Sequence, residues 1–199
     1  MRECETMVEK TKVRTADKWK KKKWFAILAP SLFDQKELIE TVSEKPETLN
    51  GRILKVSARE FGEVKKTHIS FKFKVFEVQG LKAYTKLLGH EVNQGYLKRL
   101  IRRRSSKIES TQTIQSKDGR KVKIKTIAVS MRKLTQKQKT AVRKIIEKHI
   151  REEAKKMDSE NFVKELIFGN IVGKMLGEIK KIALMKRIEI VESRILEGK

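Results

Sequence analysis

The hydrophobic pattern of this chain changes its period once, and that change constrains the fold more than any other feature. Between residues 52 and 131 apolar and polar residues alternate, most clearly from Ile69 to Val75. A period of two is typical of a half-buried β-strand. From Thr135 onward the apolar residues recur at helical spacing instead. The pattern therefore predicts an α+β fold in which most strands precede the main helices.

The predicted strands are expected to bend. Apolar residues change parity after Val75 and again after Ile124. Such slips indicate β-bulges, which twist strands where a sheet curls. The Asp118-Gly119 pair is a strong hairpin signal, so the strands on either side of it are expected to pair antiparallel. We therefore predict a curled antiparallel β-sheet with a barrel-like core.

Helix-start signals follow this β region. Thr135 and Gln138 have the spacing of a capping box at the start of a long helix, and Ser159 is a candidate cap for the next one. Shorter helices are predicted over residues 96–104 and over residues 33–42, the latter ending before Pro46. The C-terminal helices are expected to pack on the sheet.

These segments predict one globular domain, residues 25–199, behind a basic N-terminal tail, residues 1–24. Within the domain we expect a β-rich part at 50–131, a helical part at 135–182 and a returning strand at 184–196.

The charge of the chain predicts its class of partner. Lys and Arg number 49 against 25 Asp and Glu, which gives a formal net charge of +24. An excess of this size repels itself in a compact protein unless a polyanion neutralises it, so nucleic acid or an acidic membrane surface is expected as partner. The longest apolar run has six residues, from Trp24 to Ala29, far short of the ~18 that a spanning helix needs.

Cysteine usage and the N-terminal sequence predict a location. Cys4 is the single cysteine, so no internal disulfide is expected. The N-terminus lacks the apolar segment of a secretory signal. We therefore expect a cytosolic protein.

The densest lysine run lies in the predicted tail and is bracketed by tryptophans. Its members are Lys18, Trp19, Lys20, Lys21, Lys22, Lys23 and Trp24. A lysine run alone is equally well a solvated stretch. The two indoles favour RNA binding, because an indole stacks on a base or ribose and gains little in free solvent.

A second cluster surrounds the predicted helix at 96–104. It comprises Lys98, Arg99, Arg102, Arg103, Arg104 and Lys107. Stabilisation of a helix C-terminus accounts for one or two of these cations but not for six. Arginine grips phosphate through a planar, bidentate fork, so this cluster is predicted to contact an RNA backbone.

Two further basic groups are weaker candidates. Arg120, Lys121 and Lys123 open a predicted strand whose lysines recur about 6.6 Å apart on one face, a spacing that suits either phosphate contact or a solvated sheet face. A last group precedes the long helix or lies on its polar face, where solubility alone would mix the signs of charge. Its candidate RNA contacts are Arg132, Lys133, Lys137 and Arg143.

Catalytic constellations are scarce in this sequence. His68, His90 and His149 are far apart, and His149 falls on the apolar stripe of the long helix, where a packed or capping role is expected. Phosphate-binding glycine loops, nucleophile elbows and a second cysteine for zinc are missing. We predict no catalytic residue, metal or cofactor. A free RNA-processing factor such as a nuclease, and a peripheral membrane protein, are the competing classes.

Several strings occur in one order along the chain. They are KWKKKKWFAILAP, GRILKVS, HISFKFKVFEVQG, YLKRLIRRRSSKI, KDGRKVKIKTIAVSM and FVKELIFGNI, and they run from about Lys18 to Leu196. In this collinear arrangement the chain resembles the 3Ae family of small-subunit ribosomal proteins. Two departures from the family pattern are Ala183-Leu184 before the final strand and the segment from Val92 to Gly95.

The resemblance implies a structural constituent of the small ribosomal subunit without enzymatic activity. It implies a place on the platform near the messenger exit, with small-subunit ribosomal RNA and neighbouring ribosomal proteins as partners. It allows messenger RNA near the exit as a further partner, and it implies neither membrane attachment nor a homo-oligomer. The expected location is the ribosome in the cytoplasm.

Overall fold

The computed structural model describes residues 21–62 and 66–196. These residues form eight strands in one sheet, which are β1 (Lys23–Leu28), β2 (Glu37–Ser43), β3 (Ile53–Ser57), β4 (Ile69–Gln79), β5 (Lys82–Val92), β6 (Lys107–Gln115), β7 (Lys121–Ser130) and β8 (Met185–Leu196). Their α-helices are α1 (Gln94–Leu100), α2 (Gln136–Ala154), α3 (Ser159–Phe168) and α4 (Ile171–Ile179). Short 3-10 helices span Ser31–Phe33, Pro46–Leu49 and Ala58–Phe61. The predicted α+β class is confirmed.

Strand β5 is the strand on which the sheet is organised. One edge of β5 pairs antiparallel with β4, which in turn pairs with β3. The other edge is shared, because its first half pairs with β1 and its second half with β8. The order through the sheet is β2-β1-β5-β8-β7-β6, with β3 and β4 on the opposite side of β5. The sheet remains open, so the curl that was predicted does not close into a barrel.

The sheet is mixed, although an antiparallel one was predicted. β1 runs parallel to β5 from the Ala26–Lys82 pair to the Leu28–Tyr84 pair, whereas the other strand pairs among the described residues are antiparallel. A parallel pair needs a long connection. Here β2, β3 and β4 lie between the two strands in sequence, so local patterning carries no trace of the pairing.

The predicted hairpin and the bulge predicted in β4 are confirmed. β6 and β7 pair in register from Lys107–Val129 to Gln115–Lys121, and Gly119 between them has a φ of +74°, which suits glycine. The β4–β5 register shifts after Lys72 and again after Val75. The bulge predicted in β7 is wrong, because β7 pairs with β6 without a shift and the two shifts of the β7–β8 register each skip a residue of β8. Ile127 and Val129 are apolar because they lie on the face that α1 covers. The final strand also forms, one residue later than predicted.

The helix predicted over residues 33–42 is wrong, because most of that stretch is β2. β2 pairs with β1 from Glu37–Leu28 to Ser43–Lys23. Ile39, Thr41 and Val42 are β-branched and suit a strand. β2 pairs with the edge of β1 that does not pair with β5. This tertiary pairing decides the structure of residues 37–43, whose local pattern is ambiguous.

Strands also reach further towards the N-terminus than predicted. β1 begins at Lys23, inside the segment assigned to the tail, and β1 and β2 both precede the β-rich part expected from residue 50.

The helix predicted at 96–104 is shorter and earlier than expected. α1 begins after Asn93, whose side chain accepts a hydrogen bond from the Gly95 N–H at 2.9 Å. It ends at Leu100, and Ile101 is already extended. Arg102, Arg103 and Arg104 therefore follow the helix.

The two faces of the sheet are covered differently. Helices α2, α3 and α4 pack on one face, where the main core includes Phe71, Phe73 and Phe162. The predicted capping box of Thr135 and Gln138 is confirmed at the start of α2. The opposite face, called the open face below, carries α1, whose Leu97 and Leu100 contact a small cluster of Ile127, Val129 and Val191.

A buried histidine joins β5 to β8. His90 is fully buried, its Nε2 lies 3.0 Å from the Ile190 carbonyl oxygen, and its Nδ1 lies 2.5 Å from Ser193 Oγ. Burial lowers the pKa of His90 to about 4. The neutral ring therefore donates from Nε2–H and accepts at Nδ1. Next to it, Gly89 has a φ of +150°, and a Cβ there would meet the Ser193 carbonyl oxygen at 2.0 Å.

Candidate nucleic-acid interface

Strand alternation directs a row of lysines to the open face. Val122 and Ile124 of β7 are buried in the core, so Lys121, Lys123 and Lys125 between and beside them point to the opposite side. Lys121 and Lys123 are exposed. This is the one-sided lysine row that the spacing predicted.

Strand pairing adds cations that the sequence analysis missed. Three pairs of like charges lie directly opposite each other across neighbouring strands of the open face, Lys55–Lys72, Lys74–Lys86 and Lys123–Arg194. Like charges in such positions destabilise a sheet. No local signal marks these residues in the sequence, because the pairs exist only once the register of the sheet is known.

The three cation pairs differ in how the protein compensates them. Glu91 Oε2 lies 2.7 Å from Lys72 Nζ and 3.0 Å from Lys55 Nζ, and the hydrogen bonds from these two lysines lower the pKa of Glu91. Lys86 Nζ lies 4.4 Å from the centroid of the Phe76 ring. Within residues 21–62 and 66–196, no carboxylate forms an ion pair with Lys123 or Arg194. The last pair is therefore a place where an external anion would relieve repulsion.

The arginine cluster lies beside this face. Its six members, Lys98, Arg99, Arg102, Arg103, Arg104 and Lys107, are all exposed. Packing of Leu97 and Leu100 on the sheet fixes α1, and the chain then turns back towards β6. Lys107 is paired with Glu109, whose pKa is lowered by that contact. The other five cations of the cluster have no carboxylate partner among the described residues.

The turn that presents the arginines is tightly held. Ser105 Oγ donates to the Arg102 carbonyl oxygen at 2.6 Å and accepts from the Arg102 N–H at 3.3 Å. Arg104 has a φ of +66°, a left-handed conformation that is uncommon for a residue with a Cβ. The turn therefore holds the backbone of the three arginines in one conformation.

Tyr96 positions α1 against β8. Its ring stacks on His68 with centroids 3.9 Å apart, and its hydroxyl donates to Glu189 Oε1 at 3.1 Å. Arg187 lies over the same ring and 2.6 Å from Glu189. Burial lowers the pKa of His68 and raises the pKa of Tyr96. No local sequence pattern marks Tyr96, whose contacts hold α1 against β8 and so fix the start of the arginine cluster.

The remaining predicted contacts are spread over the molecule. Arg143 is half-buried, and its Nε donates to the Glu109 carbonyl oxygen at 3.1 Å, which covers the edge of β6. Arg120 lies at the hairpin, 3.9 Å from Glu160. Arg132 and Lys133 are exposed in the loop before α2, and Lys137 is exposed in its first turn. The structure thus does not gather Arg143 and Arg120 with the arginine cluster.

The lysine run is only partly described. Lys18, Trp19 and Lys20 lie outside the described residues. Lys21 and Lys22 precede β1, in which Lys23 and Trp24 are the first two residues, and all four are exposed. Trp24 is 63% exposed and points away from the buried Phe25 and Ile27, towards the open face.

The histidines have structural contacts. His68 stacks on Tyr96, His90 is buried between strands, and His149 Nε2 lies 2.9 Å from Glu178 Oε2. The packed role expected for His149 agrees with its 15% side-chain exposure. In the described part of the chain, no three His, Cys, Asp or Glu side chains are grouped closely enough to hold a metal ion. No helix there has the length and apolarity to cross a bilayer.

Comparison with known proteins adds an independent finding. The model of the ribosomal S3Ae family matches residues 10–199. A protein of Methanothermobacter thermautotrophicus named small ribosomal subunit protein eS1 is 34% identical over 192 residues, which cover 96% of this chain and 98% of the relative. Proteins of the same name from Staphylothermus marinus and Saccharolobus islandicus are 30% and 33% identical, over 96% and 91% of this chain and 90% and 88% of the relatives.

Proposed function

The chain belongs to the ribosomal S3Ae family, and from this premise we propose that it is a structural component of the small ribosomal subunit that binds ribosomal RNA through its open face. Its relatives carry the name of a small-subunit protein. The role is one of binding and positioning, without a reaction step. It would act in the ribosome, with neighbouring small-subunit proteins as further partners.

One observation carries the RNA contact, which is the Lys123–Arg194 pair on the open face. Two cations held opposite each other by strand register raise the energy of the free protein. A phosphate group placed between them would remove the repulsion and release its counterions. Lys121 lies on the same strand face, so the site extends along the strand.

The arginine cluster would continue this surface. Arg102, Arg103 and Arg104 are fixed in a hydrogen-bonded turn beside the sheet, so less conformational entropy would be lost when they bind phosphate. Trp24 offers an exposed indole on which a base can stack. The proposed position on the platform near the messenger exit, and a contact with messenger RNA there, rest on the family alone.

Sedimentation of a cell lysate tests the proposal. We expect the tagged full-length protein to travel with small subunits in moderate salt and to be absent from large ones. Recovery mainly with large subunits, with membranes or in the free fraction would overturn the assignment.

A further inference from the structure

Four exposed aliphatic side chains lie around the ends of β7 and β8. They are Ile101, Met131, Ile182 and Leu184, and we call them the aliphatic patch. Met131 is 55% exposed and Leu184 is 59% exposed, which is high for such residues. Isolated exposed apolar residues need no explanation, but a group of them at one place indicates a contact surface.

Two hydrogen bonds place members of the patch near one another. The Met131 N–H donates to the Leu184 carbonyl oxygen at 3.0 Å, so these two residues are neighbours across the strand ends. Lys186, two residues beyond Leu184, has its Nζ 3.5 Å from the Leu100 carbonyl oxygen, beside Ile101. The patch also continues the small cluster under α1, which includes Val129 of β7.

The residues next to the patch in sequence are rich in cations. Residues 98–108, 131–146 and 179–188, which contain the four members of the patch, include no Asp or Glu. Exposed cations next to the patch in sequence are Arg102, Arg132, Lys133, Lys180, Lys181 and Lys186. An apolar centre inside a charged rim has the anatomy of a protein interface.

The chemistry of the patch favours a protein over RNA. Bases stack on aromatic rings, and all four side chains of the patch are aliphatic. Phosphates gain nothing from covering apolar surface. A second copy of this chain would bring a rim of the same sign and a net charge of +24, so self-association is opposed.

We propose that the aliphatic patch binds an acidic polypeptide segment that presents aliphatic side chains at its centre. Carboxylates of the segment face the cationic rim, and its apolar side chains cover Met131 and Leu184. The four apolar side chains of the patch are not among the proposed RNA contacts, whereas the rim shares Arg102, Arg132 and Lys133 with them, so the test depends on the apolar side chains.

Peptide binding to the full-length protein tests this proposal. The probes are a fluorescent peptide in which glutamate alternates with leucine and a matched peptide in which serine replaces leucine. We expect the leucine peptide to bind about tenfold more tightly, equivalent to ~1.4 kcal/mol. The double variant Met131→Ser, Leu184→Ser should lose that difference. Equal binding of both peptides to the unmodified protein would show attraction by charge alone and would overturn the proposal.

Two controls make the outcome specific. The double variant Ile53→Ser, Leu81→Ser removes apolar side chains of similar exposure, 52% and 57%, outside the patch and should keep the tenfold preference. Loss of the preference in this control would overturn the proposal. Binding of small-subunit ribosomal RNA should be unchanged in the Met131→Ser, Leu184→Ser variant. If that variant lost RNA affinity by the same factor as it lost affinity for the leucine peptide, the patch would be assigned to RNA instead. Failure of the protein to travel with small subunits would leave the peptide result standing.

Discussion

Two parts of the molecule differ in their balance of basic and acidic residues: the segment that carries the arginine cluster and the layer of helices. Residues 94–133, which supply α1, β6 and β7, contain thirteen basic and two acidic residues, whereas residues 136–179, which supply α2, α3 and α4, contain ten and seven. In the helical layer opposite charges meet, as in the Lys174–Glu153 contact at 3.6 Å. The positive charge left without a partner is thus concentrated beside the open face, which is where an anionic partner would stabilise the protein most.

Charge reversal in the arginine cluster should have the largest effect. We expect the triple variant Arg102→Glu, Arg103→Glu, Arg104→Glu to fail to enter small subunits while its circular dichroism stays that of the unmodified protein, because all three side chains are exposed. The slope of log affinity for ribosomal RNA against log salt should fall in magnitude by about 2, at ~0.7 counterions per contact.

A matched triple variant on the helical layer sharpens this result. Lys144, Lys148 and Lys155 are exposed on or next to α2. Their replacement by Glu changes the net charge by the same amount, yet should leave entry into small subunits largely intact. If both triple variants fail equally, net charge matters and its placement does not.

Removal of the buried histidine should affect stability and leave the charges in place. His90→Ala deletes two side-chain hydrogen bonds between β5 and β8 and leaves a cavity, so we expect a loss of about 2–4 kcal/mol in the free energy of unfolding. Denaturant titration measures it. His68→Ala, which removes a half-buried ring stacked on Tyr96, should cost less, and the reverse order would show that the β5–β8 junction is not a main support of the sheet.

The same histidine predicts how stability changes with pH. The pKa of His90 is about 4 when folded, against an ordinary value of 6.5, so the unfolded chain binds the extra proton first. The His90 contribution to stability is complete above pH 6.5 and is lost as pH falls towards 4, with a slope of at most ~1.4 kcal/mol per pH unit. Denaturation at pH 7, 6 and 5 should show this slope, and His90→Asn should reduce it. An unchanged slope in His90→Asn would point to another titrating group.

We expect the smallest effect from Lys123→Thr, which should stabilise the free protein but weaken its binding to RNA. Lys123→Thr removes one member of the Lys123–Arg194 pair, so the free protein should gain a few tenths of a kcal/mol while RNA binding weakens. Lys121→Thr is the matched control, because Lys121 lies opposite the uncharged Leu196 on β8, so no cross-strand repulsion is removed there. Thermal unfolding and RNA titration of both variants test this. A similar stability change in the two variants would remove the argument from cross-strand repulsion.

Local patterns were sufficient for much of this fold. The hairpin at Asp118-Gly119, the capping box at Thr135 and the bulge in β4 each depend on residues close in sequence, and each was predicted. The arginine cluster was predicted as a group for the same reason, and the structure keeps it together. Its role as an RNA contact stays a prediction.

Features that depend on distant pairing could not be predicted in this way. The local pattern of β2 predicts a helix because it contains no sign of the partner strand β1, and the parallel β1–β5 pair leaves no local signal. Arg194 belongs to the candidate site only because the pairing of β8 with β7 places it opposite Lys123. Arg143, in contrast, was predicted as an RNA contact, but its hydrogen bond to the Glu109 carbonyl oxygen gives it a structural role at the edge of β6.

The position of β8 has a consequence for the order in which the protein forms during synthesis. β8 is the last strand in the sequence but lies between β5 and β7, so it joins the strands made first to the β6–β7 hairpin. Pairings between segments so distant in sequence form slowly. Until β8 leaves the translating ribosome, Lys123 has no Arg194 opposite it and Tyr96 has no Glu189 to bind. The cationic surface that includes the Lys123–Arg194 pair is therefore complete only after β8 has been made.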